Sequence, residues 1–212
     1  MVYRLIFTIA RMNPPTPGHF ELIRKMFEEA ILHNLKKIHI ILSSKRDNIK
    51  NPLYAEEKKY ILEKYGIPWI KSRLKSAQDI EVEILMSHEY NRYHPNDIWS
   101  TIRHLFKGRT KGDKVLFITG DTMIPFDKSV DILLYDRKKN PISGTLLRSI
   151  GWLSLPSLSS IYQPFGLSQK EVYVIYRSIR SMNPPTEENL KAAIEFIRER
   201  YPLRKICSPR QN

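Results

Sequence analysis

Val2-Tyr3-Arg4-Leu5-Ile6-Phe7-Thr8-Ile9-Ala10 runs directly into Arg11-Met12-Asn13-Pro14-Pro15-Thr16-Pro17-Gly18-His19. The first stretch is rich in Ile, Val, Phe and Tyr and reads as a buried strand. The Pro-rich segment Asn13 to Gly18 reads as a turn. From His19 to about Asn34, apolar residues fall at Phe20, Ile23, Phe27, Ala30 and Ile31. Their spacing of three and four predicts one helical stripe. Lys37 to Leu42 is a second short apolar strand. A strand, one helix and another strand predict a parallel pair joined by a right-handed crossover.

The alternation continues downstream. A helix is predicted over Tyr54 to Lys64, with Pro52 near its start, and a strand over Ile80 to Met86. A further helix is predicted over Asn96 to Phe106, where Ile98, Ile102 and Leu105 are in phase. Lys114 to Thr119 and Val130 to Tyr135 complete five strands. Strands alternating with helices predict an α/β fold, a Rossmann-like parallel sheet with helices on both faces. After about Phe165 the pattern changes. Ser168 and Glu171 have capping-box spacing before an apolar-periodic run to Ile179, and Thr186-Glu187-Glu188 opens a last helix reaching about Arg200. The expected organisation is a domain over 1–165 and a helical C-terminal appendage over 166–212.

The composition agrees with one core domain plus an appendage, since 212 residues exceed a typical domain of about 150. Apolar residues make up 42% and charged residues 27%, too apolar for a disordered chain. Lys and Arg total 35 against 22 Asp and Glu, so the net charge is 35 − 22 = +13. That excess points to an anionic partner. The single cysteine, Cys207, excludes a disulfide framework or a Cys-rich zinc site within one chain. It is compatible with a reducing, cytoplasmic setting. Apolar runs such as Ile40-Ile41-Leu42 are too short to span a bilayer, so no membrane partner is expected. His33, His39, His88, His94 and His104 show no metal-ligand spacing, and no protein-bound metal is expected.

Two segments carry the chemistry. At the first, a strand feeds a helix whose opening N–H groups lack intrahelical partners and whose dipole end is positive. Gly18 permits close backbone approach, and Thr16 and His19, three apart, face the same side of the helix entrance. The second segment is Asn140-Pro141-Ile142-Ser143-Gly144-Thr145-Leu146-Leu147-Arg148, after the fifth strand. Ser143 is a helix cap, and Thr145 and Arg148 share a face in the first turns. A guanidinium and a hydroxyl there suit a polyphosphate. Taken singly, each segment also reads as an ordinary capped helix. Met12 to Thr16 recurs as Met182-Asn183-Pro184-Pro185-Thr186. The second copy lacks a Gly-His and reads as a helix-start sequence without chemistry of its own.

Together the two segments resemble the nucleotidylyltransferase superfamily with the (H/T)xGH signature, here Thr16-Pro17-Gly18-His19. The superfamily's Ser-x-Thr-x-x-Arg signature is matched by Ser143 to Arg148. Within it the chain looks most like archaeal-type nicotinamide mononucleotide (NMN) adenylyltransferases and related viral proteins. Arg11-Met12 resembles that group's Gly-Arg-Met/Phe segment, with Ala10 in place of the Gly. Lys50 to Lys58 resembles a basic-Asp-Pro-x-Thr-x-x-Glu-Arg stretch, with Lys50 in place of a phosphate-binding Arg. Asn96-Asp97-Ile98-Trp99 resembles an Asn-x-x-Trp that lines the nicotinamide pocket, and Gly120-Asp121 a pair at the nucleotide. Thr16 stands where the archaeal group has His.

The resemblance implies adenylyl transfer from ATP to a phosphorylated acceptor, NMN above all, giving NAD⁺ and pyrophosphate. It implies His19, Thr16 and Arg148 as catalytic residues. Arg11, Met12, Gly18, Lys50, Gly120, Asp121, Ser143 and Thr145 would bind the nucleotide, and Asn96 and Trp99 the acceptor. Mg²⁺ would be held mainly by nucleotide phosphates. Two alternatives remain open at this point. One is cytidylyl or other nucleotidyl transfer to a different phosphorylated acceptor. The other is a non-catalytic relative binding nucleic acid through its +13 charge, although no RNA-reading aromatic strand is visible. A homo-oligomer is compatible with either.

Overall fold

The computed structural model describes residues 3–110, 112–120, 126, 128–136 and 140–200. Asp121 and Cys207 lie outside these. Among the described residues, five strands form one all-parallel sheet: β1 (Tyr3–Ala10), β2 (Lys37–Leu42), β3 (Glu81–Met86), β4 (Lys114–Thr119) and β5 (Val130–Leu134), in the order β3-β2-β1-β4-β5. β1 is therefore central, with Phe7 level with His39 of β2 and Phe117 of β4. The chain builds outward from β1 through β2 and β3, then returns to add β4 and β5 on the other side. This reversal opens a crevice beyond the carboxyl ends of β1 and β4, where open α/β sheets bind ligands.

The pleat sends neighbouring side chains to opposite faces. Ile6, Ile40, Leu116 and Ile118 join one core, and Phe7, Ile41, Val115 and Phe117 a second. Helix α1 (Pro17–Leu32) packs Phe20, Ile23, Phe27 and Ala30 into the first core. Ile31, in phase by sequence, lies on the outer edge and is 36% exposed. Helix α2 (Ala55–Ile61) continues through a π-helical turn over Leu62–Gly66 into α3 (Ile67–Arg73). A Cβ on Gly66 would come within 2.7 Å of the Phe20 ring, so the glycine sets this close approach of α1. The sequence reading ends that helix near Lys64. In the structure the helical path runs on to Arg73, with Pro68 accommodated directly after the π-helical turn.

After β3 come the short α4 (Ser87–Tyr90) and α5 (Ile98–Leu105), whose Ile102 joins the second core. After β5, α6 (Gly144–Leu153), α7 (Leu155–Tyr162), α8 (Gln169–Arg180) and α9 (Glu187–Arg200) form a C-terminal helical extension. Leu147, Ile150, Leu158, Ile161, Ile175, Ile179 and Ala193 bury this extension into the first core, continuous with the sheet. The result is a Rossmann-like α/β fold with a helical C-terminal extension. Among the described residues, no helix is long and apolar enough to cross a membrane.

Candidate active site

At the carboxyl end of β1 the chain leaves the sheet through Arg11, Met12 and Asn13. Asn13 is buried, and its side chain makes two bonds to one residue. Nδ2 donates to the Leu53 carbonyl at 2.9 Å, and Oδ1 accepts from the Leu53 N–H at 2.8 Å. The turn is thereby fixed to the segment that starts α2. Beneath it, Lys58 is fully buried and donates Nζ to the carbonyls of Arg11 and Ser43, the residues just past β1 and β2. Burial lowers the Lys58 pKa to about 8, despite the opposing charge of Glu56. From the far end of the chain, the buried Tyr162 hydroxyl donates to the Pro15 carbonyl at 2.6 Å. Burial raises the Tyr162 pKa.

Thr16 caps α1, and Pro17 occupies the first turn. The Thr16 N–H donates to Nδ1 of His19 at 2.9 Å, and Thr16 Oγ1 lies 2.9 Å from the same nitrogen. Because Nδ1 accepts from a backbone N–H, the neutral ring carries its proton on Nε2. Thr16 is only 3% exposed. Its N–H and hydroxyl are thereby placed to fix the tautomer and orientation of His19.

The second segment starts α6. The Ser143 hydroxyl accepts from the Leu146 N–H at 3.1 Å, which caps the helix. Arg148 spans the two segments. Its Nη1 donates to the Asn13 carbonyl and its Nη2 to Thr145 Oγ1, both at 3.1 Å. A Cβ at position 144 would lie 3.2 Å from Arg148 Nη1, so Gly144 leaves room for the guanidinium to lie across the helix start. Burial lowers the Arg148 pKa; Asp47 opposes this and Arg11 adds to it. The guanidinium nevertheless stays charged at any ordinary pH.

A third segment carries Lys50. The Asp47 carboxylate accepts from the backbone N–H groups of Ile49, Lys50 and Asn51 and from the Asn51 side chain. Partial burial pushes the Asp47 pKa up, but these bonds outweigh it and hold the carboxyl well below the usual range. The loop is thereby folded tightly with Lys50 exposed toward the crevice.

These segments enclose a cleft of about 730 Å³. Arg11, Met12, His19, Lys50, Asn96, Gly120, Ser143, Thr145 and Arg148 all line it, as the sequence reading expects of one site. Thr16 and Gly18 line an adjoining pocket of about 340 Å³ that shares His19, Ser143 and Gly144 with the cleft. Trp99 does not line the cleft. It is 45% exposed and its ring meets Phe126 at 6.0 Å. The adjacent Asp97 caps α5 by accepting from the Trp99 N–H, and this helix start places Asn96 on the cleft. Asp121 falls outside the described residues.

The sequence reading misses Asn13, Lys45, Asp47, Lys58 and Tyr162. Asn13 lies in the predicted turn and Lys58 in the predicted helix, and Asp47 and Tyr162 belong to no motif. No spacing signals that their partners lie across the fold. Four cations, Arg11, Lys45, Lys50 and Arg148, line the cleft, and no carboxylate does among the described residues. With two helix starts aimed at it, such a surface suits a polyanion. The described residues contain no cluster of three or more His, Cys, Asp or Glu side chains placed to hold a metal ion.

No protein-family model matches the chain, and searches of characterised proteins and of solved structures give no match either. The parallel Rossmann-like architecture, with charged and polar groups gathered at the crevice, is that expected of a nucleotide-binding protein and is consistent with the broad nucleotidyltransferase superfamily.

Proposed function

We propose that the chain is a nucleotidyltransferase, and that its favoured reaction is transfer of AMP from ATP to NMN, giving NAD⁺ and pyrophosphate. One observation carries this reading. His19 and Arg148, 129 positions apart by the arithmetic 148 − 19, open onto the same cation-lined cleft.

In the proposed reaction a phosphate oxygen of the acceptor attacks the α-phosphorus of the nucleotide. The bond from the α-phosphorus to the bridging oxygen breaks on the opposite side, and pyrophosphate leaves with that electron pair. No covalent enzyme intermediate is required. The protein's part is alignment and charge stabilisation. Nε2–H of His19 donates to an α-phosphate oxygen as negative charge accumulates. Arg148 and the first N–H groups of α6 hold the departing phosphates, with Ser143 and Thr145 assisting. Lys50 and Arg11 neutralise the remaining phosphate charge. The donors present fit phosphate oxygens and not a bare cation, so Mg²⁺ would be held through the nucleotide. When bound there it supplies charge neutralisation on the phosphates.

A second reading keeps the chemistry and changes the acceptor. Trp99 faces Phe126 outside the cleft lining, which leaves Asn96 as the one nicotinamide-type residue on the cleft. That placement favours testing other phosphorylated acceptors, with CTP as well as ATP. Incubation with NMN, ATP and Mg²⁺ should release NAD⁺ and pyrophosphate. If pyrophosphate forms only with another nucleotide or acceptor, product mass will identify the second reading. Absence of pyrophosphate release across the whole panel at high protein concentration would defeat both.

A further inference from the structure

The repeated segment Met182-Asn183-Pro184-Pro185-Thr186 links α8 to α9 and lies against the active-site cleft. The Asn183 N–H donates to the Asn48 carbonyl at 2.9 Å. Asn48 belongs to the Asp47-held loop that presents Lys50. Between this loop, the linker and one face of α6 is a separate cavity of about 200 Å³. The α6 face is formed by Thr145, Arg148, Ser149 and Trp152, which are spaced to share one side of a helix. Lys50, Thr145 and Arg148 line both this cavity and the main cleft. One end of the cavity therefore abuts the cationic surface.

Away from that end, the lining changes character. Ile49, Trp152, Met182, Pro184 and Pro185 supply apolar walls, and Asn183 and Asn189 supply amides. The walls are anchored. Arg180 lies over the Trp152 ring at 4.5 Å and donates to the Trp152 carbonyl, Met182 is 9% exposed, and Asn183 is held by Asn48. Ile49 is 67% exposed and Asn183 and Pro184 are exposed as well, so the cavity opens to solvent and a ligand can reach it. Ligand pockets that enclose a whole small molecule span roughly 300–1,000 Å³. This cavity is smaller, the size for part of a ligand whose remainder lies elsewhere.

We propose that this cavity takes the heteroaromatic ring of a nucleotide whose phosphate is held between Lys50 and Arg148. Flat apolar walls suit the faces of such a ring. Side-chain amides, which both donate and accept, suit its edge. Two cations at the mouth suit its phosphate. The linker thus has a binding role, although its sequence has none of the chemistry of the segment at residues 12–16. This inference rests on the phosphate-binding reading of the main cleft, and the test separates the two.

Binding of tripolyphosphate, ATP, CTP and NMN is measured by calorimetry on the full chain and on the variants Asn183→Ala and Asn189→Phe. Tripolyphosphate probes the cations alone; the nucleotides add a ring. The expected result is that at least one nucleotide binds at least tenfold more weakly to both variants, while tripolyphosphate binding is unchanged. That same nucleotide, and not tripolyphosphate, should alter tryptophan emission of the unsubstituted protein, and the change should vanish in Trp152→Phe. Unchanged nucleotide affinity in both variants overturns the proposal. Equal weakening of tripolyphosphate and nucleotide, with no Trp152 signal, also overturns it and makes the linker a prop for the Lys50 loop. If tripolyphosphate fails to bind the unsubstituted protein, the cleft reading itself falls and this inference with it.

Discussion

The Arg148 guanidinium donates to the Asn13 carbonyl at 3.1 Å, joining the start of α6 to the turn after β1. This bond does two things at once. It satisfies a carbonyl in a buried turn, and it leaves the second arm of the guanidinium on Thr145 at the cleft wall. Arg148→Ala removes both the charge and the brace. Pyrophosphate release should fall by about 10²–10³-fold, as for loss of one preorganised donor at a reacting centre. Arg148→Lys keeps the charge without the planar fork, so most of the loss should persist. Full activity in the lysine variant would show that charge alone suffices.

Gly144 is where the smallest change reaches that bond. A methyl group there would stand 3.2 Å from Nη1, so Gly144→Ala should push the guanidinium off Asn13. The Asn13 carbonyl would then lose its donor inside a buried turn, at a cost of about 1–3 kcal/mol, against at most about 1 kcal/mol gained from Ala over Gly in the helix. Steady-state activity and the melting temperature should therefore both fall. A variant that keeps both would show that the guanidinium holds its place.

Lys58 makes stability depend on pH in a predictable direction. Its pKa is about 8 when folded, against an ordinary 10.5. Between these values the unfolded chain binds more protons than the folded one, so stability rises with pH through that window. Below pH 8 the buried charge carries its full cost. The urea midpoint should increase from pH 8 to pH 10, and Lys58→Met should flatten the slope. The same variant leaves the Arg11 and Ser43 carbonyls without their donor, at a cost of about 1–3 kcal/mol for each buried group. A slope that is identical with and without Lys58 would rule out this assignment.

Tyr162 supports the turn before the first signature from the C-terminal helical extension. Tyr162→Phe removes only the hydroxyl that meets Pro15, leaving a buried carbonyl unpaired. The expected loss is about 1–3 kcal/mol of folding stability. Because Pro15 directly precedes the cap of α1, substrate KM should rise as well. Unchanged denaturation and kinetics would mean that solvent replaces the hydroxyl freely.

The alternation of strands and helices was legible because local periodicity encodes it. Phe7 and Ile6 face opposite cores as the pleat requires, and the α1 stripe from Phe20 to Ala30 is buried. The phosphate-type residues were legible for a different reason: helix starts are written in a few adjacent residues, as at Thr16 to His19 and Ser143 to Arg148. What escaped was long-range. Nothing near Lys58 announces that it will be sealed beneath two strand ends, and nothing near Tyr162 names Pro15. The reading of Trp99 was local too, and the helix that begins at Ile98 turns its ring toward Phe126. The helical nature of Ile67–Arg73 escaped the local reading because a π-helical turn carries the helix past Gly66 and Pro68, two residues of poor helix propensity.

The bond from Tyr162 to Pro15, and that from Asn183 to Asn48, also bear on the order in which the molecule matures. Translation delivers the opening β1–α1 unit early, yet its exit turn rests on a hydroxyl made almost 150 residues later, 162 − 15 = 147. The loop bearing Lys50 likewise waits for residue 183. A nascent chain stalled before α7 has emerged can display both signatures and still lack a finished crevice, so competence waits on residues 162 and 183.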